Sequence, residues 1–196
     1  MNKAVFLDRD GVINEMVYDQ EHGLVDSPAN PEQVKLKEGI GELVKDLQEK
    51  GYLAILFSNQ PGMAKKKYTK TLFDQMCKKI HTLLAQQGAF LDAEYYCLHH
   101  PEAVDQKYKT TCSCRKPKSG LITKASKEHD LNLGQSWVVG DGINDILVGK
   151  EAGCKTILFA KIKEAEYLNL MEKYLNSSCP DYIADDFNGI KMIIQK

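Results

Sequence analysis

The chain has 196 residues, of which 43% are hydrophobic and 27% charged, and its formal net charge is −1. This composition is typical of a globular protein with a sizeable core, so we predict one domain over residues 1–196. The near-neutral charge gives no sign of nucleic-acid binding. No signal peptide is visible, and no apolar run approaches the ~20 residues needed to span a bilayer. We therefore expect a cytoplasmic protein.

The first predicted strand covers residues 4–7, four consecutive apolar residues that suit a strand buried on both faces. Asp8 and Asp10 follow it, and side chains two residues apart on an extended chain point the same way. Ligands bind at the carboxyl ends of the strands in an open parallel sheet. The two carboxylates could therefore share a hard cation, or act as a nucleophile and a general acid/base, with Gly11 allowing a sharp turn. A plain surface turn is the alternative.

Residues 14–31 are predicted to form a loop, because they are rich in glycine, proline and other residues that break helices and strands. A loop of about 18 residues is longer than most connections, and loops of this length are often functional. It directly follows the two aspartates, so it could wall a substrate pocket, with His22 and Gly23 as its candidate contacts. A plain surface excursion, with a solvated histidine, explains the same residues equally well.

The rest of the chain alternates strands and helices, which predicts a parallel sheet with helices on both faces. The predicted strands are residues 52–57, 93–97, 136–139, 155–160 and, as a short edge strand, 181–184. The predicted helices are residues 38–50, 69–87, 119–129 and 144–152, a helical stretch reaching residue 175, and a terminal helix. We see no linker that would divide the chain.

A hydroxyl group and two amides stand at the end of the second long strand, in the sequence Ser58-Asn59-Gln60-Pro61-Gly62. The Ser58 hydroxyl at a strand end can hydrogen-bond a phosphoryl oxygen, and the following amides can help. A simple strand-to-helix turn is the alternative.

Three of the six cysteines, with a neighbouring histidine, have metal-binding spacing at and after the end of the third long strand: Cys97-x-His99-His100, then Cys112-x-Cys114. Three thiolates and one imidazole make a closed tetrahedral zinc site, which is structural rather than catalytic. The segment between them has little apolar content, so a bound metal would explain how it becomes ordered. Either His99 or His100 could supply the imidazole. Chance clustering is the alternative.

Two cations and two further carboxylates complete the set of candidate site residues. Arg115 and Lys116 follow the last cysteine of the cluster, where they could bind an anionic group, although a surface basic patch is the alternative reading. Asp141 and Asp145 follow the fourth long strand, and Asp141 could instead be a helix N-cap.

Four of these stretches, in order, resemble the motifs of the haloacid dehalogenase superfamily of phosphatases. They are Asp-Arg-Asp-Gly-Val-Ile-Asn from Asp8, Ser-Asn-Gln-Pro-Gly from Ser58, the lysine of Arg115-Lys116-Pro117, and Gly-Asp-x-x-x-Asp up to Asp145. The closer resemblance is to the group of histidinol-phosphate and heptose-bisphosphate phosphatases, which also have Tyr-Cys-x-His-His-Pro and Cys-x-Cys-Arg-Lys-Pro. The resemblance covers nearly the whole chain and implies a Rossmann-like α/β sheet. Members of the superfamily often carry a cap domain after the first motif or after the third strand, but here those gaps hold only a loop and a zinc-binding loop over residues 97–114, so we predict no cap domain.

The resemblance also implies a role for each site residue. Asp8 is the nucleophile that becomes phosphorylated, Asp10 the general acid/base, and Ser58 and Lys116 stabilise the phosphoryl oxygens. Mg²⁺ is held by Asp8, the backbone carbonyl of Asp10 and Asp141, with Asp145 orienting the site from behind. Asn59, Gln60 and Arg115 are implied substrate contacts, and His99 is favoured over His100 as the zinc ligand, with the three cysteines Cys97, Cys112 and Cys114.

The implied reaction is hydrolysis of a small phosphorylated substrate, and we expect D-glycero-D-manno-heptose 1,7-bisphosphate, cleaved at the 7-phosphate. The spacer of twelve residues between His99 and Cys112 resembles the longer loop of the heptose enzymes. Gly142 and Pro61 depart from the residues common in that group, Lys and Ser. A histidinol-phosphate phosphatase, a nucleic-acid 3′-phosphatase and a non-catalytic zinc-stapled binding module are the alternatives. The sequence does not fix the oligomeric state, and a monomer is our expectation.

Overall fold

A computed structural model gives the structure of residues 1–21, 23–161 and 179–195. The main sheet has six strands, which we number together with the two strands of a hairpin: β1 (Lys3–Leu7), β2 (Val17–Asp19), β3 (Leu24–Asp26), β4 (Tyr52–Asn59), β5 (Ala93–Cys97), β6 (Trp137–Gly140), β7 (Lys155–Phe159) and β8 (Tyr182–Ala184). The helices are α1 (Ile40–Glu49), α2 (Lys70–Gln86), α3 (Gly120–His129), α4 (Ile143–Ala152) and α5 (Phe187–Ile194). The helical stretch predicted to reach residue 175 lies outside the described residues.

Every strand pair in the main sheet is parallel, and the strand order is β5-β4-β1-β6-β7-β8. The first strand in sequence therefore lies in the middle, with Val5 opposite Ala54 on one side and Trp137 on the other. The carboxyl ends of β1, β4 and β6 meet at one edge, and the predicted site residues Asp8, Ser58 and Asp141 lie there. The predicted Rossmann-like sheet is confirmed.

Two hydrophobic clusters cover the two faces of the sheet, because side chains alternate along each strand. Val5 and Leu7 of β1 face α1, α2 and α5, and Ala4 and Phe6 face α3 and α4. These four side chains are fully buried, as the unbroken apolar run over residues 4–7 predicts. A core on both faces fixes the position of the strand ends, and with them the side chains that follow.

The segment predicted as a loop over residues 14–31 is in part a β-hairpin, so that prediction is wrong in its secondary structure. β2 and β3 pair antiparallel, and Gly23 lies between them with φ +64°. Each strand has three residues, and Tyr18, Leu24 and Val25 are exposed by about 60% (61%, 62% and 62%). Strands this short and exposed lack the buried alternation that a sequence pattern detects.

Several boundaries differ from prediction by one or two residues. β4 runs two residues past the predicted end, so Ser58 and Asn59 belong to the strand itself. The edge strand and the terminal helix are both present as β8 and α5. Among the described helices, none has both the length and the apolar character needed to cross a bilayer.

Candidate active site

Asp8 lies directly after β1, and its backbone N–H donates to the Val139 carbonyl of β6 at 3.0 Å. The Lys116 ammonium lies 2.8 Å from Asp8 Oδ1 and 2.6 Å from Asp145 Oδ1, and it also covers the Phe57 ring. Burial alone would lower the pKa of Lys116, but the Asp145 and Asp8 carboxylates raise it, so the side chain stays charged. A fixed cation therefore sits between two carboxylates.

Three carboxylates, of Asp8, Asp141 and Asp145, each offer one oxygen within 4.8 Å of the others, and we call them the carboxylate cluster. Burial raises the pKa of Asp8 to about 7 and that of Asp141 to about 6, and the charge of Asp145 adds to both shifts. A divalent cation would offset this repulsion, and carboxylate oxygens are the ligands that Mg²⁺ prefers. The residues therefore fit the implied magnesium ion.

Both oxygens of Asp145 already have protein partners. Oδ1 accepts from Lys116, and Oδ2 accepts from the backbone N–H of Gly142 at 3.1 Å. The second of these hydrogen bonds also caps the N-terminus of α4. This placement agrees with an orienting role rather than direct metal ligation. The close approach of the β1 loop needs glycine, because a Cβ on Gly11 would lie 1.8 Å from Asp141 Oδ2.

Asp10 is surrounded by nitrogen donors. The Arg9 guanidinium donates Nε to Asp10 Oδ1 at 3.0 Å and Nη2 to Oδ2 at 3.1 Å, and Asn14 Nδ2 donates to Oδ1 at 2.9 Å. Arg9 is only 1% exposed. The sequence reasoning missed this arginine, and the one signal for it was an arginine placed between two aspartates.

Ser58 and Asn59 are the last residues of β4, and Gln60 follows them. Asn59 is hydrogen-bonded to the backbone of Lys116. Asn59 accepts the Lys116 backbone N–H at 3.0 Å and donates to the Lys116 carbonyl at 3.1 Å. Gln60 is 1% exposed, and its Nε2 donates to Ser58 Oγ at 3.1 Å and to Asp10 Oδ2 at 2.6 Å. Their roles in substrate binding stay predictions, and the structure shows Asn59 and Gln60 engaged with the protein.

The side chains of Cys97, His99, Cys112 and Cys114 converge at the end of β5 and in the loop that follows it, and we call them the thiolate cluster. Cys97 Sγ lies 3.6 Å from Cys112 Sγ and 3.3 Å from Cys114 Sγ, and His99 Nδ1 lies 3.4 Å from Cys114 Sγ. These distances are too long for disulfides and close to the ~3.8 Å edges of a tetrahedron with Zn–S bonds of ~2.3 Å. The cluster fits a tetrahedral metal.

The structure distinguishes the two candidate histidines. His99 Nδ1 faces the thiols, whereas His100 Nδ1 accepts the backbone N–H of Glu102 at 3.1 Å. Arg115 is half-buried and donates Nη1 to the His99 carbonyl at 3.3 Å. Arg115 is therefore hydrogen-bonded to the backbone of the thiolate cluster.

The two candidate residues of the hairpin are not placed in the site. His22 lies outside the described residues, and Gly23 is exposed at the hairpin turn. Their contact with substrate stays a prediction.

Comparison with known proteins gives several relatives. The family model described as HAD-hydrolase-like matches residues 113–190. The D-glycero-beta-D-manno-heptose-1,7-bisphosphate 7-phosphatase of Haemophilus ducreyi is 38% identical, over 83% of this chain and 85% of its own length. The enzyme of the same name from Helicobacter pylori is 39% identical, over 80% of this chain and 83% of its own length.

Solved structures agree with these relatives. The crystal structure of D,D-heptose 1,7-bisphosphate phosphatase from B. bronchiseptica, complexed with magnesium and phosphate, has a TM-score of 0.77, with 25% identity over 98% of both chains. A putative HAD-like phosphatase from Mesorhizobium loti has a TM-score of 0.78 at 23% identity, covering 99% of this chain and 85% of that one, and supports the fold. The chain belongs to the haloacid dehalogenase-like phosphatases, in the family of the D-glycero-β-D-manno-heptose-1,7-bisphosphate 7-phosphatases.

Proposed function

We propose that the protein hydrolyses the 7-phosphate of D-glycero-β-D-manno-heptose 1,7-bisphosphate. The observation that carries the proposal is the buried Asp8–Lys116 pair at the strand ends of a chain whose relatives bear this enzyme's name. A cleft of about 480 Å³ opens beside Asp141 and gives access to this edge of the sheet.

In the first half of the reaction, an Asp8 oxygen attacks the phosphorus in line with the leaving sugar oxygen. Lys116 and the Ser58 hydroxyl stabilise the negative charge on the transferring phosphoryl oxygens. Asp10 gives a proton to the departing alkoxide. The products are an aspartyl-phosphate on Asp8 and the dephosphorylated sugar hydroxyl.

In the second half, a water molecule attacks the phosphorus of the aspartyl-phosphate and breaks its bond to Asp8. Asp10, now ionised, takes the proton of this water, so one residue serves first as acid and then as base. Inorganic phosphate leaves, and the Asp8 carboxylate is restored.

Two metals belong to this proposal. Mg²⁺ would be held by Asp8, the backbone carbonyl of Asp10 and Asp141, and when bound it screens the negative charge between carboxylate and phosphate. Zn²⁺ is our proposed occupant of the thiolate cluster, because three thiolates and one imidazole with no open position match a structural zinc site. The zinc would hold the loop that carries Arg115.

Arg115 supports a bisphosphate substrate. Its guanidinium donates to the His99 carbonyl and has no carboxylate partner among the ion pairs of the described residues. It could fork onto a second phosphate while Lys116 holds the first. Histidinol phosphate, with one phosphate, gives this cation nothing equivalent to bind.

We further propose that residues 1–196 act as one domain and as a monomer in the cytoplasm, without nucleic acid or membrane as partner. Sedimentation of the purified protein tests the monomer, and a DNA-binding measurement across salt concentrations tests the exclusion of nucleic acid.

The deciding experiment compares kcat/KM for the heptose bisphosphate and histidinol phosphate in the presence of Mg²⁺. We expect the heptose bisphosphate to be preferred. If histidinol phosphate is preferred tenfold or more, about 1.4 kcal/mol of transition-state stabilisation, the substrate proposal is wrong although the phosphatase activity stands.

A further inference from the structure

The side chain of Asn59 holds both backbone polar groups of Lys116. Asn59 Oδ1 accepts the Lys116 N–H at 3.0 Å, and Asn59 Nδ2 donates to the Lys116 carbonyl at 3.1 Å. In the part of the chain that the structure describes, these two backbone groups have no other hydrogen-bond partner. The two residues are 57 positions apart, so a single amide joins the end of β4 to the segment that carries the cation.

The same strand also contacts the charged end of Lys116. The Lys116 Nζ lies 4.3 Å from the centroid of the Phe57 ring. Phe57 is two residues before Asn59 on β4, so both side chains lie on the same face of the strand. In this position the ammonium is 2.8 Å from Asp8 Oδ1 and 2.6 Å from Asp145 Oδ1. β4 therefore supports Lys116 at both its backbone and its charged end.

The segment around Lys116 has no strand or α-helix that could fix its backbone instead. Between the end of β5 at Cys97 and the start of α3 at Gly120, the one regular element is a 3-10 helix of three residues, Gln106–Tyr108. Lys116 is nevertheless only 5% exposed. A displacement of about 1 Å can cost a catalytic group about 100-fold in rate, so the anchor on this backbone bears directly on the reaction.

We propose that Asn59 is a positioning residue, which places the Lys116 ammonium against the transferring phosphoryl group. Its amide oxygen and its amide nitrogen are both engaged with the Lys116 backbone, which gives Asn59 a role other than the substrate contact expected from the sequence. The inference rests on the proposed phosphatase function, in which Lys116 stabilises the phosphoryl oxygens. It assigns the residue that makes this stabilisation geometrically possible.

The test measures kcat/KM of the full chain with Mg²⁺ for two phosphate monoesters with different leaving groups, the heptose bisphosphate and p-nitrophenyl phosphate. Asn59→Ala should lower both values by the same factor, about 30-fold, since the cation is displaced rather than removed. Inhibition by orthovanadate, a mimic of the phosphoryl group in transfer, should weaken by a similar factor. A loss confined to the heptose bisphosphate would mean that Asn59 binds the sugar, and the inference would be wrong.

A double-mutant cycle separates positioning of Lys116 from a direct contact between Asn59 and the reacting phosphate. In a Lys116→Met background, adding Asn59→Ala should cost less than threefold in kcat/KM, because no ammonium is left to place. If Asn59→Ala costs as much in this background as in the wild-type protein, Asn59 acts on the phosphate directly and the inference is overturned.

Hydrogen–deuterium exchange gives a readout that does not depend on the folding of Lys116→Met. The Lys116 backbone N–H should exchange at least about tenfold faster in Asn59→Ala than in the wild-type protein, because its acceptor is gone. An unchanged exchange rate would show that other groups hold this backbone, which contradicts the proposed role.

Asn2→Ala is the matched control. Asn2 Nδ2 donates to the His129 carbonyl at 2.8 Å, 127 residues away in the sequence, and Asn2 precedes β1 at the end of the strand opposite to the site. The substitution removes a hydrogen bond of the same kind and should leave kcat/KM for both esters unchanged. An equal loss in the control would assign the effect of Asn59→Ala to stability and sink the inference. A wild-type protein that hydrolyses neither ester would instead count against the proposed function itself.

Discussion

The carboxylate cluster and the thiolate cluster lie on neighbouring loops, but they are held in place by different forces. The carboxylates follow β1 and β6, whose side chains are buried, so the hydrophobic core fixes their backbone. Only Cys97 of the thiolate cluster belongs to a strand, and the rest stand on a polar loop. A substitution in the carboxylate cluster should therefore lower catalytic activity and leave the fold intact. A substitution in the thiolate cluster should instead disorder the loop around it.

Replacing the nucleophile gives the largest expected effect. Asp8→Asn keeps the shape of the side chain and removes its charge, so turnover should fall by at least about a thousandfold. The circular dichroism spectrum and the cooperative melting transition should be retained, because β1 remains buried. Activity near the wild-type level in a clean preparation would show that Asp8 is not the nucleophile.

Breaking the thiolate cluster should have a smaller effect, of a different kind. Cys112→Ser should lose bound zinc in elemental analysis and raise KM about tenfold for a bisphosphate substrate, since the loop that carries Arg115 loses its metal. kcat should change less than KM. Cys179→Ser, at a half-buried cysteine outside the cluster, is the control. Wild-type protein purified without chelator and found free of zinc would contradict the prediction.

Replacing Arg115, the cation that we propose binds the second phosphate, tests the contribution of the thiolate cluster's loop to substrate binding. Arg115→Ala should lower kcat/KM for the heptose bisphosphate about tenfold more than for a sugar monophosphate, because one charged hydrogen-bonding partner of the second phosphate is lost. Lys109→Ala, at an exposed lysine of the same loop, should leave both substrates unaffected. Equal losses for the two substrates would mean that Arg115 acts on the reacting phosphate instead.

The smallest predicted effect is a pH-dependent stabilisation by magnesium. Burial raises the pKa of Asp8 from 3.8 to about 7, so without metal the folded state binds more protons than the unfolded state between these values. Stability from this group therefore falls as pH rises through that window. Mg²⁺ favours the ionised form, and its effect on the melting temperature should be at least about 2 °C larger at about pH 8 than at about pH 5.

Scanning calorimetry with and without a chelator measures this difference. Asp8→Asn has no titrating group at that position, so the pH dependence of its magnesium shift should be weaker. A rise in melting temperature on adding Mg²⁺ that is the same at both pH values would contradict the claim that burial raises the pKa of Asp8.

Local patterns predicted much of this molecule because its main strands are buried and its motifs follow them directly. The apolar run ending at Leu7 and the spacing of the cysteines each carry their own signal. The hairpin strands β2 and β3 carry none, since their side chains face solvent. An exposed strand can be identified only from what it pairs with.

Contacts between residues far apart in the sequence could not be predicted either. Asn59 and Lys116 are 57 residues apart, and Gln60 and Asp10 are 50 apart, so no periodicity reports that they meet. The burial of Arg9 was harder still to predict, because a fully buried arginine is unusual. Its partner, Asp10, is its own neighbour in sequence. The motifs placed the reacting groups, while the groups that orient them came from the fold.

The hydrogen bonds of Asn59 have a consequence for how such an enzyme can change over time. They tie the Lys116 backbone to the end of β4, whereas its neighbour Arg115 is tied to the carbonyl of His99. Two cations that are adjacent in sequence thus have separate anchors, Lys116 at the end of the buried strand β4 and Arg115 in the loop that carries the thiolate cluster. A change in the length of that loop would therefore move Arg115 while the hydrogen bonds of Asn59 keep Lys116 in place.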